Sequence, residues 1–200
     1  MAASIDFYFD FSSPYGYFAS TKIESLAAKH GRTVNWRPVL LGIIFKTTGG
    51  APMPTLPLKG DYASKDFPRS ARFLGVPYRT PGVFPIGTMS AVRAFYWLQG
   101  KDPAKAVAFA KALYKAYFVD DVNISDAAGL ARVAQSLGLN ADEMSAGIND
   151  AAVKEKVKAE VDVALARGVC GSPFIIVDGE PFWGADRLDQ VEKWLATGGF

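Results

Sequence analysis

The sequence has very few of the residues that form disulfides and metal centres. Its 200 residues include a single cysteine, Cys170, and a single histidine, His30. One cysteine cannot form an internal disulfide. Cys170 and His30 together also fall short of the three or four Cys and His ligands that typical metal sites use. We therefore expect neither an internal disulfide nor a bound metal.

Strong charge of one sign and long apolar runs are also missing. The 22 Lys and Arg residues nearly balance the 20 Asp and Glu residues, giving a net charge of +2, and no block of basic residues occurs. Nucleic acid is bound through clustered positive charge, so we expect no nucleic-acid partner. No apolar run reaches the roughly 20 residues of a membrane span, and no signal-peptide pattern occurs. The sequence predicts a cytoplasmic protein without a membrane partner.

The first 40 residues predict a β-α-β unit. Apolar and polar residues alternate over 5–11, which is the period of a strand. Ser13 followed by Pro14 is a helix-start signal, with the serine as N-cap and the proline at the first helical position. The helix is predicted to run to His30 and a second strand to cover 33–39. This order favours a parallel pair of strands.

The middle of the chain predicts helices joined by loops. Glycine, proline and threonine over 42–62 and again over 75–88 are typical of loops. Asp102 and Ser125 are predicted to cap two helices. Valines at 153, 157 and 161 form an amphipathic stripe that predicts a third.

The C-terminal part returns to strand patterns. Two short strands are predicted over 173–177 and 180–183, joined by Asp178-Gly179, a hairpin signal, with a last helix over 186–195. This order predicts an α/β, thioredoxin-like fold with a helical domain inserted between its N-terminal β-α-β and C-terminal β-β-α parts. The predicted thioredoxin-like domain comprises 1–45 and 170–200, and the helical insert comprises 46–169.

Three motifs together resemble one family. They are Asp10-Phe11-Ser12-Ser13-Pro14-Tyr15-Gly16, Gly171-Ser172-Pro173-Phe174 and Trp183-Gly184-Ala185-Asp186-Arg187-Leu188. In this order they resemble the DsbA-like branch of the thioredoxin superfamily, specifically kappa-class glutathione transferases and bacterial 2-hydroxychromene-2-carboxylate isomerases. The resemblance covers about the first 45 and the last 35 residues. Ser13 before Pro14 would by itself be only a helix cap, but the conjunction of motifs favours a functional site.

The first motif also excludes one activity of this fold. Thiol-disulfide oxidoreductases need two cysteines, one to attack and one to resolve the mixed disulfide. Here those positions hold Ser13 and Gly16. Disulfide exchange of that type is therefore ruled out.

The resemblance implies that glutathione is the cofactor and that Ser13 is both its catalytic partner and part of its binding site. A free thiol has a pKa near 8.5, whereas the reactive species is the thiolate. The N-terminus of a helix and a hydroxyl donor both favour an anion beside them. Ser13 would thus stabilise the sulfur that the cofactor brings.

The resemblance also implies the other residues that bind glutathione. A cis peptide before Pro173 would expose the main chain of Ser172 to the cysteinyl unit of glutathione. The turn that begins at Trp183 would hold the γ-glutamyl end. Its members are Trp183, Gly184, Ala185 and Asp186, with the carboxylate of Asp186 taking the ammonium group.

The substrate end is less defined by the sequence. Lys46, three residues before Gly49, resembles the pattern of kappa-class enzymes, in which such a lysine helps to hold a carboxylate of glutathione or of the substrate; a solvated lysine is the alternative. Thr88, which follows Phe84-Pro85, is a further candidate contact. Cys170 is interpreted as a small apolar side chain rather than a nucleophile.

The implied reaction is the cis-trans isomerisation of 2-hydroxychromene-2-carboxylate to trans-o-hydroxybenzylidenepyruvate, a step in naphthalene-type degradation, with a small aromatic carboxylate as substrate. Two alternatives remain open: a kappa-like transferase that conjugates glutathione to electrophiles, and a non-catalytic module that binds glutathione or a peptide. A homodimer is one option for the assembly, because the sequence leaves the oligomeric state open.

Overall fold

The computed structural model describes residues 4–200, which form one mixed sheet and a set of helices. The strands are β1 (Ile5–Phe9), β2 (Val34–Pro38), β3 (Phe174–Val177) and β4 (Glu180–Trp183). The helices are α1 (Pro14–Ser20), α2 (Ile23–Lys29), α3 (Leu41–Thr48), α4 (Lys59–Leu74), α5 (Met89–Gln99), α6 (Pro103–Phe118), α7 (Ala127–Ser136), α8 (Ala141–Gly147), α9 (Ala151–Ala166) and α10 (Leu188–Thr197). Short 3₁₀ helices cover Met53–Thr55 and Ala185–Arg187. No helix within residues 4–200 is long and apolar enough to cross a lipid bilayer.

The sheet has the order β2-β1-β3-β4. Strand β1 pairs in parallel with β2, with Ile5 opposite Val34, and antiparallel with β3, with Phe7 opposite Ile175. Strands β3 and β4 form the predicted antiparallel hairpin. The thioredoxin-like fold with a helical insert is confirmed.

The aromatic side chains of β1 join the sheet to the helical middle of the chain. Phe7 and Phe9 lie on the same face of the strand, because side chains of a strand alternate. The ring of Phe9 contacts Trp36 of β2 at 5.3 Å between centroids. On the helical side it contacts Phe95 at 6.3 Å and Tyr114 at 5.7 Å. The sheet and the inserted helices therefore share one hydrophobic core.

The single helix predicted from Pro14 to His30 is wrong, because the chain forms α1 and α2 with a break between them. The hydroxyl of Ser20 donates to the carbonyl of Tyr17 at 2.6 Å, and that of Thr21 donates to the carbonyl of Phe18 at 2.8 Å. Hydroxyls that bind carbonyls in this way compete with the helical hydrogen bonds and weaken the helix locally.

The loop predicted over 42–62 is also wrong in part. It contains α3, a 3₁₀ helix and the start of α4, whereas 75–88 is irregular as predicted. Gly49 ends α3 in a left-handed conformation with φ 72°, so this glycine is a helix cap rather than a loop residue. The start of α3 is capped by the carboxylate of Asp10 in the distant segment after β1, which accepts from the amide of Leu41 at 2.8 Å. No local signal in the sequence marks such a cap.

The predicted helix caps are partly confirmed. Asp102 caps α6, since its carboxylate accepts from the amide of Lys105 at 3.0 Å. The cap of α7 is Asp126 rather than Ser125, because Asp126 accepts from the amide of Gly129 at 2.6 Å. The last helix begins as the 3₁₀ turn Ala185–Arg187 and continues as α10.

Candidate active site

Ser13 lies at the N-cap of α1, as predicted, and is almost fully buried, with 6% of its surface exposed. Its Oγ accepts a hydrogen bond from the amide of Gly16 at 3.0 Å. The same hydroxyl donates to the carbonyl of Ser172 at 2.9 Å. Ser13 therefore both caps its helix and contacts the second of the three sequence motifs.

The second motif forms a loop with a cis peptide between Ser172 and Pro173, as the resemblance implied. The Oγ of Ser172 accepts from the amide of Asp10 at 2.9 Å. The amide N–H of Ser172 makes no hydrogen bond within residues 4–200. The carbonyl of Pro173 accepts from the amide of Gly184 at 3.0 Å, so the loop lies between Ser13 and the third motif.

The third motif forms the turn that leads into α10. Gly184 has φ 117° and ψ 150°, a conformation that is essentially restricted to glycine, and the 3₁₀ helix Ala185–Arg187 contacts α1. Trp183 is 61% exposed, and its indole lies over Gly171, where an added Cβ would be 2.3 Å from Nε1. The side chain of Asp186 is 73% exposed and lies 3.5 Å from the guanidinium of Arg187. The side chains of Trp183 and Asp186 are thus open to solvent.

Gly16 has no room for a side chain. A Cβ at this position would lie 2.7 Å from both the Oγ of Ser172 and the hydroxyl of Tyr114, well inside ordinary contact distance. The resolving cysteine of the oxidoreductases belongs at this position, so a cysteine here would require the cis-proline loop or α6 to shift. The tight contact also explains why glycine stands here.

Asp10 is the residue of the site whose importance sequence reasoning missed. It is 2% exposed, and its carboxylate accepts from the amides of Leu41 and Ser12 at 2.8 Å. The hydroxyl of Ser12 donates to it at 2.8 Å, and that of Thr88 lies 3.1 Å from both of its oxygens. Burial raises the pKa of Asp10, and these hydrogen bonds oppose the shift. The sequence did contain a signal for the importance of Asp10, because a single acidic residue stands there between Phe9 and Phe11. A charged group flanked by core residues at the end of a strand needs hydrogen-bond partners.

The three predicted substrate contacts separate into two places. Thr88 is 5% exposed and its hydroxyl is bound to Asp10. Lys46 is exposed in the last turn of α3, and Gly49 ends that helix. Lys46 and Gly49 therefore lie at the end of α3 remote from Asp10, and their role in binding stays a prediction.

Cys170 matches its interpretation as an apolar side chain. It is half-buried and packs against the cluster that contains Val169 and Phe174. Burial raises the pKa of its thiol, which disfavours the nucleophilic thiolate.

This fold and site define the class of protein. The DSBA-like thioredoxin domain family matches residues 4–196, and the chain belongs to that family. Over 198 residues it is 31% identical to a 2-hydroxychromene-2-carboxylate isomerase of Sphingobium xenophagum, which covers 98% of this chain and 99% of the relative. The chain therefore belongs to the isomerase group within the family and is an enzyme of the isomerase type.

Two further similarities span the same length. Over 205 residues the chain is 27% identical to glutathione S-transferase kappa 2 of Caenorhabditis elegans, which covers 96% of this chain and 91% of the relative. A solved structure of a 2-hydroxychromene-2-carboxylate isomerase superposes with a TM-score of 0.86 at 26% identity, covering 96% and 94% of the two chains. The similarity extends through the helical middle, well beyond the two ends that carry the motifs.

Proposed function

We propose that the chain uses glutathione to isomerise 2-hydroxychromene-2-carboxylate to trans-o-hydroxybenzylidenepyruvate, with Ser13 beside the glutathione sulfur. One observation carries the proposal: the hydroxyl of Ser13 lies at the mouth of α1, within hydrogen-bond distance of the cis-proline loop. The similarity to the Sphingobium xenophagum isomerase supports the choice of reaction.

The residues around Ser13 fit glutathione. The unpaired amide of Ser172 offers a donor for a peptide main chain, as in a strand that pairs at a sheet edge. The exposed carboxylate of Asp186 and the guanidinium of Arg187 offer one charge of each sign for the zwitterionic γ-glutamyl end. The exposed indole of Trp183 lies over Gly171, next to the cis-proline loop, and offers an apolar surface to the ligand. The similarity to a kappa-class glutathione transferase supports the same ligand.

Ser13 is the group that this chain supplies to the reaction. When bound, glutathione would supply a thiolate: after the hemiketal C–O bond of the substrate opens to give the phenol and the ketone, this nucleophile could add to the conjugated carbon, allow rotation about the resulting single bond and leave again unchanged. Helix α1 has only seven residues, so its dipole is short and the hydroxyl of Ser13 is expected to provide most of the stabilisation. The hydroxyl of Ser13 has a single proton, and in this structure it donates that proton to the carbonyl of Ser172. To donate to the sulfur instead, the hydroxyl must rotate away from the carbonyl. The amide of Gly16 stays bonded to Oγ and strengthens it as a donor.

Ser13→Ala tests the proposal, with Ser12→Ala as the control from the neighbouring position. We expect turnover to fall by about 10²–10⁴-fold in Ser13→Ala, as for other positioned catalytic donors, while the glutathione Kd changes much less. Ser12→Ala should stay near wild type, because the carboxylate of Asp10 keeps its other donors. Equal losses in both variants would refute the role of Ser13.

The fate of glutathione decides between the candidate reactions. In an isomerase the free thiol concentration stays constant while the substrate is consumed. Loss of one thiol per turnover would instead show the conjugation reaction of a kappa-like transferase. Glutathione binding without turnover of either kind would show a binding module.

A further inference from the structure

We propose that Arg167 is a positioning residue of this site: it holds the end of α9 on β1 and so fixes the short connection, 168–172, that carries Ser172 to the glutathione. The kinetic part of this proposal rests on the proposed function. A second part concerns the motion of the connection and does not depend on any activity.

The connection 168–172 leads from the end of α9 to the cis-proline. Arg167 is the C-cap of α9, and Gly168 follows it with φ 79°, in the left-handed region that favours glycine. A second glycine, Gly171, stands just before Ser172. Because glycine restricts the backbone least, the connection has little stiffness of its own. Its position must therefore be set at its two ends.

The far end of the connection is fixed just after β1. The Oγ of Ser172 accepts from the amide of Asp10 at 2.9 Å, and the carbonyl of Ser172 accepts from the hydroxyl of Ser13 at 2.9 Å. These contacts leave the amide of Ser172 free for the main chain of a ligand.

The near end of the connection is fixed by the side chain of Arg167. Its Nη1 donates to the carboxylate of Asp6 at 2.6 Å and to the hydroxyl of Tyr8 at 2.8 Å. The guanidinium also lies over the ring of Tyr8, 5.7 Å from the ring centroid. Asp6 and Tyr8 are both residues of β1, so the two ends of the connection are anchored to the same strand and to Asp10, the residue that follows it.

Packing alone does not orient the end of α9. Val169 and Tyr8 belong to one apolar cluster, and Val169 is buried. Hydrophobic contact is non-directional, so it holds the end of α9 near the sheet without fixing its orientation. The hydrogen bonds of Arg167 are directional and charge-assisted, and they supply that orientation. Because a single nitrogen makes both bonds, the ammonium of a lysine can replace it, whereas a glutamine lacks the charge.

Arg37 provides a matched control for the loss of an ion pair. Its Nε donates to the other carboxylate oxygen of Asp6 at 2.8 Å, and its guanidinium lies 5.8 Å from the centroid of the same Tyr8 ring. Arg37 stands in β2, however, and its other partner is Glu160 within α9. Arg37→Gln therefore removes a cation from the same carboxylate without releasing Arg167. The two variants should lose similar stability, but only Arg167→Gln should free the connection.

Cys170 reports the motion of the connection, because it is the only cysteine of the chain and lies within 168–172. Its thiol is half-buried, so alkylation of the folded protein by iodoacetamide becomes faster when the connection opens. We expect the rate to rise about 3- to 10-fold in Arg167→Gln, a modest effect because the side chain of Arg167 is 34% exposed and solvent screens its ion pair. Arg167→Lys should restore most of the wild-type rate, and Arg37→Gln should leave it unchanged.

Glutathione binding and turnover are measured on the same variants. We expect the glutathione Kd from calorimetry to rise about two- to fivefold in Arg167→Gln, because glutathione binds only the anchored form of the connection. The kcat at saturating glutathione should be retained, because the bound ligand restores that form and Ser13 keeps its bond from the amide of Gly16. Arg167→Lys should recover the Kd. An unchanged alkylation rate in Arg167→Gln, an equal rise in Arg37→Gln, or a fall in kcat without a change in Kd would overturn the proposal.

A failure of the proposed function has a different signature. S-methylglutathione has no free thiol for iodoacetamide to consume, and it should slow the alkylation of Cys170 in wild type. If it does not, and calorimetry detects no binding of glutathione, the proposed function fails. The contrast in alkylation between Arg167→Gln and Arg37→Gln then still decides whether Arg167 anchors the connection.

Discussion

Gly16→Ala probes the close contact of α1 with the cis-proline loop and α6. An added Cβ would lie 2.7 Å from the Oγ of Ser172 and 2.7 Å from the hydroxyl of Tyr114, and 3.2 Å from the Cβ of Ser13. Neither oxygen can retreat freely, because both are hydrogen-bonded to the main chain of Asp10. The substitution must therefore shift the cis-proline loop or α6.

The expected cost follows from these contacts. Forcing a methyl group into a packed core costs about 1–3 kcal/mol, and each buried hydrogen bond that breaks costs about 1 kcal/mol more. Alanine is more favourable than glycine within a helix by about 0.5–1 kcal/mol, which offsets part of this cost in the free energy of unfolding. We expect a net loss of about 1–3 kcal/mol in the free energy of unfolding, or roughly 2–12 °C in Tm for a chain of this size.

Thermal and urea unfolding measure this loss, with Gly42→Ala as the matched control. Gly42 also lies in a helix, but no atom stands within 4 Å of its Cβ position, so alanine should stabilise there by about 0.4–1 kcal/mol. Adding Tyr114→Phe to Gly16→Ala removes one of the two clashing oxygens and should recover part of the loss. If Gly16→Ala stabilises the protein as Gly42→Ala does, the steric argument is wrong.

Two further predictions concern carboxylates. Asp186→Ala should raise the glutathione Kd by only about 1.5- to 5-fold, because the side chain is 73% exposed, with kcat at saturating glutathione retained; an equal rise in Asp189→Ala would indicate a general charge effect instead. Burial alone would raise the pKa of Asp6, but hydrogen bonds from Arg167 and Arg37 lower it below the ordinary 3.8. The ionised form of Asp6 thus stabilises the fold above about pH 4, and this contribution is lost as the pH falls through the lowered pKa. The stability gap between wild type and Asp6→Asn should shrink below pH 4, and urea unfolding that shows a constant gap would refute this assignment.

The sequence by itself determined the features that depend on neighbouring residues. The alternation over β1, the hairpin at Asp178-Gly179 and the cap of α1 at Ser13 were all predicted, because each is formed by residues within a few positions of one another. The motifs at both ends of the chain indicated the family by resemblance, because each is a short segment that can be compared with known proteins without knowledge of the fold.

Only the tertiary structure decided how these segments form a site. The start of α3 is capped by Asp10 from 31 residues away, so the glycine-rich composition after Leu41 misleadingly indicated a loop. Asp10 also meets Ser172 across 162 positions, and Gly16 is confined by Tyr114 of α6. Hydrogen bonds and close contacts of this kind exist only after the elements pack, because their partners are distant in the chain. An acidic residue flanked by apolar residues, such as Asp10, indicates from the sequence that hydrogen-bond partners are needed. Only the packed fold specifies which residues those partners are.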